Sequence, residues 1–329
     1  MLKSVNLKNV KNVIPSYFIK RKDLKNMQEE VDSYFNSVQT TINILMLIDN
    51  NTSNEASAKV RNLFLSDATN VKLQINYFDS DSVAIDENAD MIVIVTCDSE
   101  VSGEVAKNCR DAGVPAYTVF DESVAVFKGV NPSSLLLTGD YCVMNQADEN
   151  SVKKMEHKLG CWIANVCVGK KFAFARAFKF VAKPLVTEIV HLTAIENASV
   201  GLVPVISAAD FPLMFLNQLK MLAQIATVYG RKIDYAILKE AAGVLVGAIF
   251  GRKVSRVVKK IIPLPKFIVS PCVAFATTEV IGRALIAYFE AGGEIDGVVA
   301  LLKKTLEGSK SASVAIKPIT SRIVSSIKK

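Results

Sequence analysis

The stretch MLIDNNTSNEASAKV, residues Met46–Val60, decides how the first half of this chain folds. It begins inside an apolar run, INILMLI at 42–48, which is typical of a buried strand, and it continues into helix-like sequence at 55–66. Nucleotide-binding folds keep their phosphate loop between such a strand and such a helix. The stretch therefore predicts an α/β domain and raises the question of whether that domain binds a nucleotide.

The loop lacks the residues that phosphate binding needs. A phosphate loop has the pattern G-x-x-x-x-G-K-S/T, because bare backbone amides and a lysine hold the phosphates and a hydroxyl holds Mg²⁺. The same spacing here gives Asp49 and then Asn54-Glu55-Ala56, whose two carboxylates would repel a triphosphate. The N-K-x-D motif is also missing, since VFDES stands at 119–123. The sequence thus predicts that the nucleotide site is absent.

Apolar, β-rich runs alternate with helix-like stretches between 42 and 165, which predicts a mostly parallel sheet covered on both faces. The predicted strands are 42–48, 72–78, 90–96, 115–120 and 140–145, and the predicted helices are 55–66, 104–113 and 148–167. Helices with apolar faces follow, so the fold class is α/β and then all-α. The strand pattern looks like a Ras-like GTPase domain. A degenerate GTPase-like domain and an α/β domain of another lineage both remain open.

Charge is distributed unevenly along the chain. Residues 45–150 carry a net charge of −11 and residues 151–302 a net charge of +9, within a total of +7. An acidic first domain is therefore joined to a basic second one. The predicted segments are a basic N-terminal segment, a Rossmann-like or degenerate GTPase-like domain, a helical domain and a basic flexible tail, with bounds 1–40, 41–167, 168–305 and 306–329.

Cysteines, histidines and acidic residues form no metal pattern. The six cysteines include no C-x-x-C pair, and the N-terminus has no long apolar signal segment, which predicts reduced thiols in a cytoplasmic protein. His157 and Cys161 lie at i and i+4, near Cys167, but a core or surface role is favoured over a metal site. The acids of residues 79–90 favour a solvated loop over a cation site; they are Asp79, Asp81, Asp86, Glu87 and Asp90. We expect no cofactor.

The segment KKFAFARAFKFVAKP at 170–184 interleaves basic and aromatic residues. Such interleaving can bind nucleic acid or an acidic lipid surface. A helix that packs its aromatic side chains on a neighbour while its lysines stay solvated explains the pattern better. Nucleic acid is therefore disfavoured as a partner, and the acidic first domain argues in the same direction.

One helix of the second half carries a continuous apolar stripe. It is predicted to start at Asp210, which can cap it, with Pro212 in the first turn, and to end at Gly230. The stripe residues follow at helical spacings; they are Phe211, Phe215, Leu219, Leu222, Ile225 and Tyr229. Its polar side gives the best candidates for a specific interaction, which together with the helix start are Asp210, Pro212, Asn217, Gln218 and Lys220. We expect Asn217 and Gln218 to form hydrogen bonds across a helix pair.

Residues 170–300 resemble the YcjF-like helical domain, a family of unknown function that is often fused to or encoded near GTPases. The motifs that carry the resemblance are GLVPV (201–205), ADFP (209–212), NQLKML (217–222), YG (229–230) and VIGRALIAYFEAGG (280–293). The resemblance implies a membrane-associated or GTPase-associated helical module and no catalytic residues.

Membrane contact is predicted for the basic cluster that follows a small-residue ladder. The apolar runs 197–209, 241–251 and 267–278 are shorter than the roughly 20 residues that a spanning helix needs. The ladder of Gly243, Gly247 and Gly251 permits close helix packing. Five basic residues then suit acidic headgroups; they are Arg252, Lys253, Arg256, Lys259 and Lys260. We expect the helical domain at the inner membrane face, with partial insertion of 241–278 or a wholly soluble bundle as alternatives.

Three functions fit these features to different degrees. A non-enzymatic adaptor, bound to an acidic membrane surface or to a protein partner such as a GTPase, fits best, and a homo-oligomer through the helical domain is compatible with it. A nucleotide-binding protein or hydrolase with an unorthodox site is the alternative, which the missing phosphate-loop residues disfavour. Nucleic-acid binding is the third and would be steeply salt-dependent.

Overall fold

Five apolar runs form one sheet in the order β2-β1-β3-β4-β5, and every neighbouring pair is parallel. In this computed structural model, residues 21–79, 83–201, 210–250 and 266–307 are described. The strands are β1 (Ile42–Asp49), β2 (Val71–Phe78), β3 (Met91–Thr96), β4 (Ala116–Asp121) and β5 (Tyr141–Met144). The predicted strands are confirmed, and so is the fold class of an α/β part followed by helices.

The central strands are buried on both sides because their sequences are almost wholly apolar. Every residue of β3 is buried, and β1 is buried from Ile44 to Asp49. Around the sheet lie α2 (Asn54–Leu63), α3 (Ser99–Asp111) and α4 (Glu149–Val166). Helix α3 begins five residues before the predicted start at 104, because the Asp98 carboxylate accepts the backbone N–H groups of Glu100 and Val101 and caps it.

No helix joins β4 to β5. Residues 122–140 form an irregular connection that is fixed to α3 by hydrogen bonds. The Asn131 backbone N–H donates to Ser99 Oγ at 3.0 Å, and the Arg110 guanidinium donates to the Leu135 carbonyl at 2.7 Å. The connection is therefore ordered by specific contacts even though it lacks regular structure.

The chain divides into two compact units. The sheet unit is Asn36–Leu185, and the helical unit combines the described parts of Met1–Phe35 and Val186–Lys329. The remaining helices are α1 (Arg21–Ser37), α5 (Lys171–Ala177), α6 (Lys179–Gly201), α7 (Asp210–Val228), α8 (Tyr235–Phe250), α9 (Lys266–Glu290) and α10 (Val298–Glu307), with 3₁₀ turns at Val168–Lys170 and Ile295–Gly297. The sheet unit thus extends past residue 167, and α1 belongs with the C-terminal helices.

Close packing in the helical unit depends on apolar stripes and on one glycine. Helix α1 buries Leu24, Met27 and Val31, which lie on one face. In α9, a Cβ added to Gly282 would lie 2.3 Å from Val190 Cγ2 of α6, so only glycine fits at this crossing.

Helix α7 ends as its sequence predicts. Gly230 has φ of 74°, and the Arg231 N–H donates to the Ala226 carbonyl at 2.8 Å, which closes the helix with a glycine cap. Among the helices of the described ranges, none combines the length and the apolarity that crossing a membrane requires. The segment 241–278 contains residues 251–265, which lie outside the described residues.

Candidate functional site

The candidate site is the crevice at the carboxyl ends of β1 and β3. In open α/β sheets ligands bind outside the carboxyl ends of the strands, where the strand order reverses. For the order observed here, that reversal lies between β1 and β3. The loop 50–53 follows β1 and leads into α2 at this reversal, so the phosphate-loop position of the sequence is also the topological site.

The first carboxylate of the crevice is used by the protein itself. Asp49, the last residue of β1, is buried, and its carboxylate accepts the Thr96 hydroxyl at 2.7 Å and the Asn51 backbone N–H at 2.8 Å. Thr96 Oγ1 in turn accepts the Asp98 backbone N–H at 3.0 Å. These bonds fix the ends of β1 and β3 to each other. They also satisfy Asp49, as a buried carboxylate requires.

The second carboxylate binds the residue that precedes α2. Asp121, the last residue of β4, is fully buried and accepts the Ser53 backbone N–H at 3.0 Å. It also accepts the Ser123 backbone N–H at 2.9 Å and the Ser123 hydroxyl. Ser53 Oγ accepts the Ala56 N–H at 3.2 Å and so caps α2. Helix N-termini and loop amides are the groups that hold anions, and here side chains of the protein occupy them.

The electrostatics of the crevice oppose a phosphate ligand. Burial, with the charges of Asp49, Asp121 and Asp98, raises the pKa of the Cys97 thiol to about 11. Burial alone would raise the pKa of Asp121, but the hydrogen bonds from Ser123 and Ser53 outweigh it and lower that pKa. Asp121 is therefore ionised at neutral pH. Two amides of the loop after β1, those of Asn51 and Ser53, are thus bound by the chain's own carboxylates, and the neighbouring Cys97 lies near three carboxylates.

The expected hydrogen bonds of Asn217 and Gln218 are present in the helical unit. Asn217 Nδ2 donates to Asn197 Oδ1 at 3.1 Å, and Gln218 Nε2 donates to Thr278 Oγ1 at 3.5 Å. Asn197 Nδ2 also donates to Thr278 Oγ1, at 3.0 Å. The amide cluster, defined as Asn197, Asn217, Gln218 and Thr278, joins α6, α7 and α9. It is largely buried among apolar side chains, so these polar groups act within the unit.

Lys220 is also engaged within the helical unit. Its ammonium lies 3.5 Å from the Glu30 carboxylate of α1. Burial alone would lower the pKa of Lys220, but the neighbouring Tyr34 and Glu30 outweigh it and raise that pKa. Helix α7 starts at Asp210, and Pro212 lies in its first turn. The side chains of both lie outside the described residues, as do Arg252, Lys253, Arg256, Lys259 and Lys260.

The interleaved aromatic residues of 170–184 are part of the core of the sheet unit. Phe172, Phe174 and Phe178 are buried, and the ring of Phe178 lies 5.2 Å from that of Phe64 in an edge-to-face contact. Lys179 remains exposed. The packing interpretation is therefore confirmed for these three rings, which are not available to stack on bases or to enter a lipid layer. It is wrong for Lys170, which is not solvated but pairs with Asp90.

Two carboxylates of the predicted acidic loop, those of Asp79 and Asp90, lie at opposite edges of the sheet. Asp79 follows β2 at the carboxyl edge of the sheet and accepts an Asn50 amide hydrogen at 2.9 Å. Asp90 precedes β3 at the opposite edge, where it pairs with Lys170 at 2.7 Å. Asp81 lies outside the described residues. Because the two carboxylates stand at opposite ends of parallel strands, they cannot bind one cation.

Cys161 and His157 lie close together, but Cys167 does not join them. Cys161 Sγ and His157 Nε2 lie 3.7 Å apart on α4, whereas the Cys167 thiol is buried at the end of that helix. Over the described ranges, no group of three His, Cys, Asp or Glu side chains is placed to hold a metal ion.

Sequence reasoning does not predict some residues of the crevice and of the amide cluster. Asp121 binds Ser53, which is 68 residues away, and no sequence pattern around VFDES predicts this partner. Asn197 and Thr278 carried a weak signal, since each interrupts an apolar stretch of a helix. The structure shows that Asp49 binds the Thr96 hydroxyl and the Asn51 N–H, and its effect on phosphate binding stays a prediction.

Comparison with protein-family models and with curated proteins finds no match for this chain. The resemblance of residues 170–300 to the YcjF-like helical domain, and the GTPase-like origin of the sheet unit, therefore stay predictions from the motifs quoted above.

Proposed function

We propose that this protein is a non-enzymatic adaptor that acts at the inner face of the membrane or together with a GTPase. One observation carries the proposal: the crevice where this topology binds ligands is closed by Asp49 and Asp121, which accept the protein's own amides and hydroxyls. A sheet unit built in this way offers a surface and no reaction centre. The cytoplasmic membrane face is the proposed location, and no cofactor is part of the proposal.

The charge pattern of the sequence supports the membrane part of this proposal. The segment 151–302 is basic, and its densest cluster, Arg252 to Lys260, has five basic residues in nine. Each basic residue close to an anionic surface contributes roughly 1 kcal/mol of binding, so five of them supply useful affinity without any spanning helix. Attraction of this kind weakens with salt, because ions screen exposed charges.

Vesicle flotation with the full chain tests the membrane proposal. The protein is floated with phosphatidylcholine vesicles with and without phosphatidylserine, at low and high salt. We expect binding that requires phosphatidylserine and that is released by salt. A variant in which the five basic residues are changed to Gln should not float with the vesicles. A matched variant with Lys153, Lys154 and Lys158 of α4 changed to Gln should float, because those side chains belong to the sheet unit. Equal flotation of both variants would refute the assigned surface.

Nucleotide binding is the competing function and is measured separately. Fluorescent GTP and ATP analogues are titrated with Mg²⁺ into the same protein. We expect no binding, because Asp121 already accepts the Ser53 N–H and because three carboxylates lie near Cys97 beside this loop. Micromolar affinity for either nucleotide would overturn the adaptor proposal in favour of a nucleotide-binding protein.

An Asn217→Leu variant tests whether this residue of the amide cluster serves a partner. Asn217 is partly exposed and donates to Asn197. If its role is specific recognition, partner capture or vesicle binding should fall while the unfolding midpoint stays close to that of the wild type. Unchanged stability and unchanged binding would remove Asn217 from the proposed interaction surface.

A further inference from the structure

Strand β2 is an open edge of the sheet. It is one of the two outer strands, and with eight residues it is twice as long as the other edge, β5. It contains one charged residue, Lys72, whereas edge strands are commonly protected by several charges, a proline or a bulge. Ile75 and Tyr77 are 36% and 56% exposed on this strand. Such an edge is suited to pairing with another strand.

The outward backbone groups of β2 can be identified from its pairing with β1. In a parallel pair, alternate residues direct both their N–H and their C=O to the neighbour. The Ile42 N–H donates to the Asn70 carbonyl and the Asn50 N–H to the Phe78 carbonyl, so the even-numbered residues face β1. Leu73, Ile75 and Tyr77 therefore face away. Within the described ranges, their main-chain groups have no hydrogen-bond partner.

We propose that β2 pairs antiparallel with β2 of a second copy, about a two-fold axis that passes beside Ile75, to form a continuous ten-stranded sheet. In this register Ile75 exchanges both hydrogen bonds with its own counterpart, and Leu73 exchanges both with the other copy's Tyr77. All three outward residues of each strand are then used, which gives six main-chain hydrogen bonds. Sheets of ten strands are within the range of open sheets.

The side chains are complementary in this register. Ile75 meets Ile75, Leu73 meets Tyr77, Gln74 meets Asn76 and Lys72 meets Phe78, so no like charges stand directly opposite each other. Antiparallel pairing also brings each Lys72 beside the carboxyl end of the other strand, where Asp79 follows. A second copy is therefore favoured over an unrelated strand, because this sequence matches itself. The interface differs from an oligomer formed through the helical domain.

A register centred on Gln74 is less favourable. It would pair Tyr77 with Val71, whose backbone N–H already donates to the Ala68 carbonyl at 3.4 Å. The axis beside Ile75 avoids this competition, because it uses only main-chain groups that have no partner within the described ranges. Two-fold closure also limits the assembly to a dimer, since each chain then has its β2 edge covered.

Sedimentation of the full chain over a range of concentrations tests the dimer. The wild type should show a monomer–dimer equilibrium, and Ile75→Lys should weaken dimerisation at least tenfold, because two ammonium groups would meet at the axis. Val126→Lys is the matched control: Val126 is 62% exposed in the connection between β4 and β5, and it should dimerise as the wild type does. Far-ultraviolet circular dichroism and urea midpoints confirm that both variants are folded.

Cross-linking fixes the register. Under mild oxidation Ile75→Cys should form a disulfide-linked dimer above the wild-type level, whereas Leu65→Cys, at a 70% exposed position off the strand, should not. A wild type that remains monomeric at high micromolar concentration overturns the proposal. So does a dimer that persists in Ile75→Lys or that Ile75→Cys fails to link, because the interface would then lie elsewhere.

Discussion

Replacement of Asp121 by Ala is the sharpest test of how the crevice is closed. The change removes the acceptor of two backbone N–H groups, those of Ser53 and Ser123, in a fully buried position. Each buried N–H that loses its partner costs about 1–3 kcal/mol, and removal of the desolvated carboxylate offsets part of that cost. We expect Asp121→Ala to lose about 3 kcal/mol of the free energy of unfolding, which corresponds to roughly 6–12 °C in the melting temperature.

The assay is urea unfolding at neutral pH, followed by the fluorescence of Trp162, which belongs to the same unit. Asp148→Ala is the matched control, because the Asp148 carboxylate also accepts a backbone N–H, at 3.0 Å, as the cap of α4, but is exposed. It should lose about 1 kcal/mol. A loss in Asp121→Ala no larger than in this control would refute the argument that Asp121 closes the loop. The variant should also bind no nucleotide, since Asp49 and Glu55 remain.

Three further outcomes follow from the structure. Gly282→Ala should destabilise the helical unit by about 1–3 kcal/mol through overpacking on Val190, and adding Val190→Ala should restore part of the loss. Urea midpoints measure both effects. The control Gly243→Ala should not be destabilised, because a Cβ at that position meets nothing within 4 Å. Asp121 should contribute stability that is present above about pH 4 and lost as pH falls through its lowered folded-state pKa. The free energy of unfolding should therefore fall less steeply with acid in Asp121→Asn than in the wild type. Equal slopes would contradict this. Alkylation with iodoacetamide at pH 8, read by mass spectrometry, should be faster at the partly exposed Cys161 and Cys272 than at the four buried thiols, whose pKa values burial raises to about 11 or 12. Burial also raises the pKa of Cys272, so Cys161 should react first. The four buried thiols are Cys97, Cys109, Cys142 and Cys167.

Local features of the chain were predictable and long-range partners were not. The strands follow from continuous apolar runs such as INILMLI, which can be stable only when buried on both faces. The end of α7 follows from Gly230, because a left-handed residue stops a helix locally. The predicted start of α3 at residue 104 is wrong, although the capping residue Asp98 stands directly before the observed start at Ser99.

The place of the candidate site was predictable from the sequence, and the hydrogen bonds that build it were not. Asp49 and Glu55 are enough to disfavour a phosphate, because charge repulsion needs no partner to be known. The bond between Asp121 and Ser53 depends on two strand ends meeting, and the amide cluster depends on three helices meeting. Such contacts follow from the packing of whole elements, so a single sequence gives no pattern for them.

Helix α1 is synthesised long before the helices that it contacts. The 150 residues of the sheet unit separate Phe35 from Val186, where the rest of the helical unit begins. At roughly 5–20 residues per second, translation of that interval takes about 8–30 s, during which Lys220 and Lys232, the ion-pair partners of Glu30 and Asp32 in α1, have not yet been made. The sheet unit can fold in this time, but the helical unit can be completed only near the end of synthesis. A chaperone that binds short apolar segments on the ribosome would find its site here.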